Sequence, residues 1–146
     1  MKTLEYTIQI NASPEQVWNA LWDEENYKKW TTTFCHGSYY KTDGFQVGNK
    51  IHFLTPDGQG MYSLINQLET NQYVAFRHIG AMSQFEELPV DKESETWTNA
   101  MEIYHLSHHE NGTKLRVSVD IIDNHIAFMN KTFPLALSEL KKISEQ

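Results

Sequence analysis

Between Gly37 and Asp120 the chain reads almost entirely as strands and turns, and one long amphipathic segment follows. That order restricts the folds open to it. Ile51 and Phe53 alternate with His52, as in a half-buried strand. Pro56-Asp57-Gly58 marks a turn, since proline presets φ and glycine accepts a positive one. Gly60 to Glu69 and Tyr73 to His78 are predicted to form one hairpin, and Trp97 to Ser107 and Thr113 to Ile122 a second one around Asn111-Gly112. Beyond them Ile126, Met129, Phe133, Leu137 and Leu140 recur at helical spacing, with Phe128, Leu135 and Ala136 widening the stripe. An antiparallel sheet with one apolar face needs a cover, and only this C-terminal helix is long enough. A curved sheet gripping a helix leaves a void, because neither surface is flat. Pro134 lacks an N–H and is expected to kink the helix or split it near Asn130.

The N-terminal text is equally readable. Leu4, Tyr6, Ile8 and Ile10 share one face of a strand. Ser13-Pro14-Glu15-Gln16 then has the residues of a capping box, with proline at the first helical position. Val17, Trp18, Leu21 and Trp22 fix that helix, and Asp23-Glu24-Glu25-Asn26 opens a second short one through Trp30. The segment from Gly80 to Glu95 carries five acidic residues and Pro89, and reads as a long loop of the kind that forms lids.

A length of 146 residues favours one domain spanning 1–146 with one core. The formal net charge of −7 argues against nucleic acid, whose binding rests on neutralising phosphates with Lys and Arg. It leaves a neutral, cationic or largely apolar ligand, or a protein partner. No apolar run approaches the ~20 residues of a membrane span, so no membrane insertion is expected. Cys35 is the only cysteine, which excludes an internal disulfide; with no secretory h-region, a reducing cytoplasm is the expected location.

Four stretches together carry a family resemblance: Ile10-Asn11-Ala12-Ser13-Pro14-Glu15-Gln16-Val17-Trp18; Trp30 after the second helix; Val47-Gly48-Asn49-Lys50-Ile51-His52-Phe53 followed by Asp57-Gly58; and Asn111-Gly112-Thr113-Lys114-Leu115-Arg116-Val117. The chain resembles the START-like superfamily, also called SRPBCC, and within it the bacterial single-domain proteins related to the C-terminal domain of the heat-shock-protein-90 ATPase activator. The resemblance covers nearly the whole chain, Phe85 to Glu95 excepted. It implies an α+β helix-grip fold: a curved antiparallel sheet of about six to seven strands around a long C-terminal helix, with two short helices after the first strand. It implies a cavity between sheet and helix that binds a small apolar or amphipathic molecule. The alternatives it leaves are a chaperone-interacting module and a cavity enzyme of the cyclase or hydrolase type.

Candidate cavity-lining residues are Trp30, Phe53, Phe76, His78, Trp97, Met101, Ile103, Phe128, Met129 and Phe133, set against the plainer reading that most such aromatics are core. His78 shares strand parity with Val74 and Phe76, and His105 with Met101 and Ile103. Either histidine reaches a ligand if its face points inward; the plainer reading bonds it to a neighbour at a strand end. Glu102 is expected to face solvent, pairing with Lys114 or Arg116, so that Met101 and Ile103 face in. Tyr104 and Leu106 conflict with this, since they share the parity of Glu102, and a β-bulge would reconcile them. No catalytic residue, metal site or cofactor is assigned. His36, His52, His108, His109 and His125 lack metal-ligand spacing, and Cys35 has no visible base.

Overall fold

Capping decides where the chain leaves its first strand. β1 (Lys2–Ile10) gives way to α1 (Pro14–Trp22) at Ser13, whose hydroxyl accepts from the Gln16 N–H at 3.1 Å while the Gln16 side chain accepts from the Ser13 N–H at 2.9 Å. Asp23 then caps α2 (Glu24–Thr31), accepting from the Asn26 N–H at 3.1 Å. The two helices are locked together by the Trp30 indole, which donates to the Leu21 carbonyl at 3.0 Å. The structure is a computed structural model and describes residues 1–146.

The remaining strands are β2 (Tyr39–Thr42), β3 (Lys50–Leu54), β4 (Gly60–Glu69), β5 (Tyr73–Ser83), β6 (Glu86–Glu87), β7 (Met101–His109) and β8 (Gly112–Ile121). They form one antiparallel eight-stranded sheet in the order β1-β8-β7-β5-β4-β3-β2, with the two-residue β6 beside the end of β5. α3 (Ile126–Ser144) lies across the concave face, so the architecture is an α+β helix grip. Ile10, Val17, Leu21, Phe76, Leu115, Val117, Leu137 and Leu140 belong to a single apolar cluster between sheet and helices.

Two irregularities bend the sheet. Ile65 faces Phe76 but Gln67 faces Ala75, so Asn66 is an extra residue on β4. Ser63 faces His78 but Tyr62 faces Gly80, so Ile79 is an extra residue on β5. Each bulge adds twist and curvature. The bulge at Ile79 also separates the faces: Phe76 belongs to the main core, whereas Met82 packs with Leu54 and Tyr62 in a second cluster.

The structure corrects several sequence expectations. Trp97 is not in a strand, because a short 3₁₀ turn over Ser94–Thr96 and a left-handed Asn99 (φ 68°) precede β7. Gly80 to Glu95 is not one loop: β5 runs on to Ser83, and Gln84 and Phe85, both at positive φ, turn the chain into β6. Pro134 does not split α3. Proline and Asn130 are both exposed, so the Asn130 carbonyl that loses its partner can meet water. Phe128 and Leu135, 51% and 56% exposed, lie off the buried stripe of Phe133, Ala136, Leu137 and Leu140. The β-bulge that would have turned Glu102 outward is absent, since β7 and β8 keep one register from Glu102–Val119 to His109–Gly112.

Candidate functional site

Period-two alternation decides what the concave face presents. β8 turns Leu115, Val117 and Val119 inward and Lys114 and Arg116 outward. Its register with β7 sets Tyr104 opposite Val117 and Glu102 opposite Val119. Glu102, Tyr104 and Leu106 therefore face in, and Met101, Ile103 and His105 belong to the other parity. β5 contributes Phe76 and His78, β4 contributes Met61 and Ser63, and β3 contributes Phe53, which faces Met61 across the strands.

Between this face and the first turns of α3 lies a cavity in two lobes, which meet at Met61, Glu102 and Met129. The lobe toward α2 has a volume of about 150 Å³ and is walled by Tyr27, Trp30, Thr31, Phe34, Ser38, Phe53, Tyr104 and Phe133. The other, about 270 Å³, is walled by His78, Trp97, Ala100, Met101, Val119, Asp120, Ile121, Ile122 and His125. A groove of about 330 Å³ on the opposite face, near β2 and β3, is crossed by an ion pair from Glu87 to Lys50 and a hydrogen bond between Glu87 and His52, both 2.9 Å. Those groups already satisfy one another, so the apolar cavity is the better candidate.

At the junction of the lobes four polar side chains form a chain. The Ser63 hydroxyl lies 2.6 Å from His78 Nδ1, His78 Nε2 lies 3.1 Å from Glu102 Oε1, and the Tyr104 hydroxyl donates to Glu102 Oε2 at 2.6 Å. If Ser63 donates to Nδ1, the imidazole carries its proton on Nε2 and donates to Glu102. Every hydrogen bond then converges on one carboxylate. Burial pushes the Glu102 pKa up, but the His78 and Tyr104 contacts outweigh it and hold the carboxyl below its ordinary range. The same burial, together with the adjacent Glu102 charge, raises the Tyr104 and Tyr27 phenols. The Glu102 side chain keeps 25% of its surface free, against 8% for His78, so it is the more open side chain of the pair.

This order differs from a nucleophilic triad. Ser63 is wholly buried and sits on Nδ1, with the acid on Nε2, the reverse of the arrangement that activates a serine. What the site offers is a carboxylate able to accept further hydrogen bonds in an aromatic cavity. No group of three or more His, Cys, Asp or Glu is placed to hold a metal ion.

Trp30, Phe53, His78, Trp97, Met101, Met129 and Phe133 stand on the cavity walls. Phe76 lies beneath, fully buried and edge-on to Phe53 at 5.2 Å. Ile103 is on the other parity of β7, Phe128 is exposed, and His105 packs against Tyr73 at 5.9 Å. The expectation that Glu102 faces solvent is wrong, because the face it shares with Tyr104 and Leu106 is the one opposite Val117 and Leu115. Ser63 and Tyr27 were not anticipated. Glu102 was recoverable from the parity of β8, whose alternation is unambiguous; Ser63 depends on the register set by the Asn66 bulge and had no sequence signal.

Comparison with known proteins agrees with this architecture. The chain is similar to the solution structure of the Aha1 dimer from Colwellia psychrerythraea, with TM-score 0.73 and 25% identity over 99% of this chain and 97% of that one. It is similar in fold to an AHSA1-like protein from Aeromonas hydrophila (TM-score 0.70, 16% identity, 99% and 92% covered) and to a protein of Mesorhizobium loti (0.73, 16%, 97% and 96%). No curated protein matches it. The family model for activator of Hsp90 ATPase homolog 1-like proteins matches residues 11–145, and the chain belongs to that family.

Proposed function

We propose that this protein binds a small apolar or amphipathic molecule in the cavity between the sheet and α3. The observation that carries the reading is Glu102, held by His78 and Tyr104 where the two lobes meet. Apolar pockets with a few converging polar groups are the usual form of a small-molecule site, and those for drug-sized ligands run from about 300 Å³ upward. The lobes reach the lower end of that range taken together. Met61 and Met129, at the junction, let the walls adapt.

Titration with the neutral dye N-phenyl-1-naphthylamine tests the reading. Its emission is expected to rise on binding, and Met129→Trp, which fills the junction, is expected to abolish that rise while leaving the far-UV circular dichroism unchanged. Dye binding that is indifferent to Met129→Trp would place the site elsewhere.

A second reading, contact with a chaperone, draws on the family and on one surface feature. Phe85, Leu88 and Val90 are 57%, 40% and 40% exposed around β6. A cognate chaperone's ATPase rate measured with and without the protein addresses it; no change at saturating concentration removes it.

A further inference from the structure

We infer that the cavity selects a hydrophobic organic cation, that is, a primary or secondary ammonium carried on an aromatic or aliphatic body. The inference rests on the cavity-binding reading and goes beyond it to the charge of the ligand. Neither lobe has a Lys or an Arg in its wall. The carboxylates present are Glu102, which borders both lobes, and Asp120, which borders only the larger one. Asp120 is engaged at both oxygens, accepting from the Thr3 hydroxyl at 2.6 Å and the Met101 N–H at 2.9 Å. Glu102 likewise accepts one bond at each oxygen, from His78 and Tyr104, and since a carboxylate has about four acceptor positions, free ones remain at the junction of the lobes.

The hydrogen-bonding demand at Glu102 is therefore for donors. An ammonium fills the free positions on Glu102 with its own N–H donors, in surroundings where such a charge-assisted bond is strong. A carboxylate or phosphate ligand meets a like charge at Glu102 and finds no Lys or Arg in either wall to offset it. The walls add to this preference. Tyr27, Trp30 and Phe53 present aromatic rings near Glu102, and the face of such a ring attracts a cation. A neutral alcohol can donate one hydrogen bond to Glu102 but gains neither the charge pairing nor the ring attraction.

Calorimetric titration of the full chain at pH 7 with 2-(1-naphthyl)ethylamine, 2-(1-naphthyl)ethanol and 1-naphthylacetate separates the cases, since the three share one aromatic body. The amine is expected to bind at least about tenfold more tightly than the alcohol, and the acid most weakly, in keeping with the strength of a charge-assisted pair. In Glu102→Gln the amine and alcohol should come within about twofold of each other. Tyr104→Phe removes a donor from Oε2 and is expected to keep or widen the amine preference; this variant serves if Glu102→Gln does not fold. Equal binding of amine and alcohol to the wild-type protein, or a preference that survives in Glu102→Gln or collapses in Tyr104→Phe, overturns the inference and leaves the cavity reading standing. Failure of all three compounds and of the neutral dye overturns the cavity reading itself, and this inference with it.

Discussion

Replacing His78 by leucine tests whether the polar chain beneath the cavity exists in solution. The side chain is 8% exposed and makes two bonds, to Ser63 Oγ at 2.6 Å and to Glu102 Oε1 at 3.1 Å. Losing a hydrogen bond to a charged group costs about 1.5–3 kcal/mol, and stranding a buried hydroxyl such as that of Ser63 costs about 1–3 kcal/mol. Glu102 retains partial exposure through the cavity, which puts its share at the low end of that range, and leucine recovers part by burying more apolar surface. A net loss of about 3 kcal/mol follows, or a fall in Tm of about 12 °C for a chain of this length.

The decisive variant is the double one. Glu102→Met strands His78 Nε2–H and the Tyr104 hydroxyl, whereas His78→Leu/Glu102→Met removes both ends of the pair. Replacing both partners of a buried pair is commonly close to neutral, so the double variant should be more stable than the sum of the singles implies by about 2 kcal/mol. Guanidinium unfolding followed by both circular dichroism and tryptophan emission gives the four free energies. Additivity within about 0.5 kcal/mol, the ordinary result for independent sites, would refute the His78–Glu102 bond.

Three further outcomes follow from the geometry. Ser13→Ala loses the hydroxyl half of the capping box and should cost about 1 kcal/mol, seen as a Tm about 4 °C lower; an unchanged Tm would show that Pro14 alone starts α1. Gly60→Ala sets a Cβ against the Phe53 carbonyl at φ 142°, so a loss of at least about 2 kcal/mol is expected, and a fully stable variant would contradict the β3–β4 register. The Glu102 carboxyl is held below its ordinary pKa of 4.5 in the folded chain, so its contribution to stability is complete above that value and is lost as the pH falls through the folded one. The acid limb of the stability curve should accordingly be shallower in Glu102→Gln than in the wild type, and superimposable limbs would rule the shift out.

Much of the fold was legible because its signals are local. The Ser13 to Gln16 box, the strand alternation of β1 and β8, and the Asn111-Gly112 pair each act within a few residues, and each appears where the sequence places it, although the left-handed pair of the β7–β8 turn is Glu110-Asn111. The site was less legible because it depends on relations between strands. In β7 both faces carry bulky residues, Met101, Ile103 and His105 on one and Glu102, Tyr104 and Leu106 on the other, so its own periodicity cannot choose. The partner strand can, through Val117 and Val119. Counted from the β4–β5 turn, Ser63 meets His78 only because Asn66 is extruded from the ladder, and no residue type marks that position.

The physical logic of the site follows from what its members cost the fold. A carboxylate in an aromatic cavity is disfavoured by burial, and His78, Ser63 and Tyr104 are arranged to offset that cost. An apolar residue at position 102 would need none of the three, and packing alone would hold β7 in the sheet. Polar groups that local packing does not require, gathered where a void already exists, are the usual mark of a site held for something outside the chain. The two bulges belong to the same arrangement. The Asn66 bulge brings Ser63 opposite His78 and the Ile79 bulge resets the register beyond it; without the curvature, α3 settles onto the sheet and the junction at Met61 and Met129 closes. Filling that junction with Met129→Trp while also applying His78→Leu/Glu102→Met should therefore restore stability lost by the polar substitutions, because the void and the charge are parts of one device. If the combined variant is instead less stable than either set of changes alone, cavity and carboxylate are independent features of the fold.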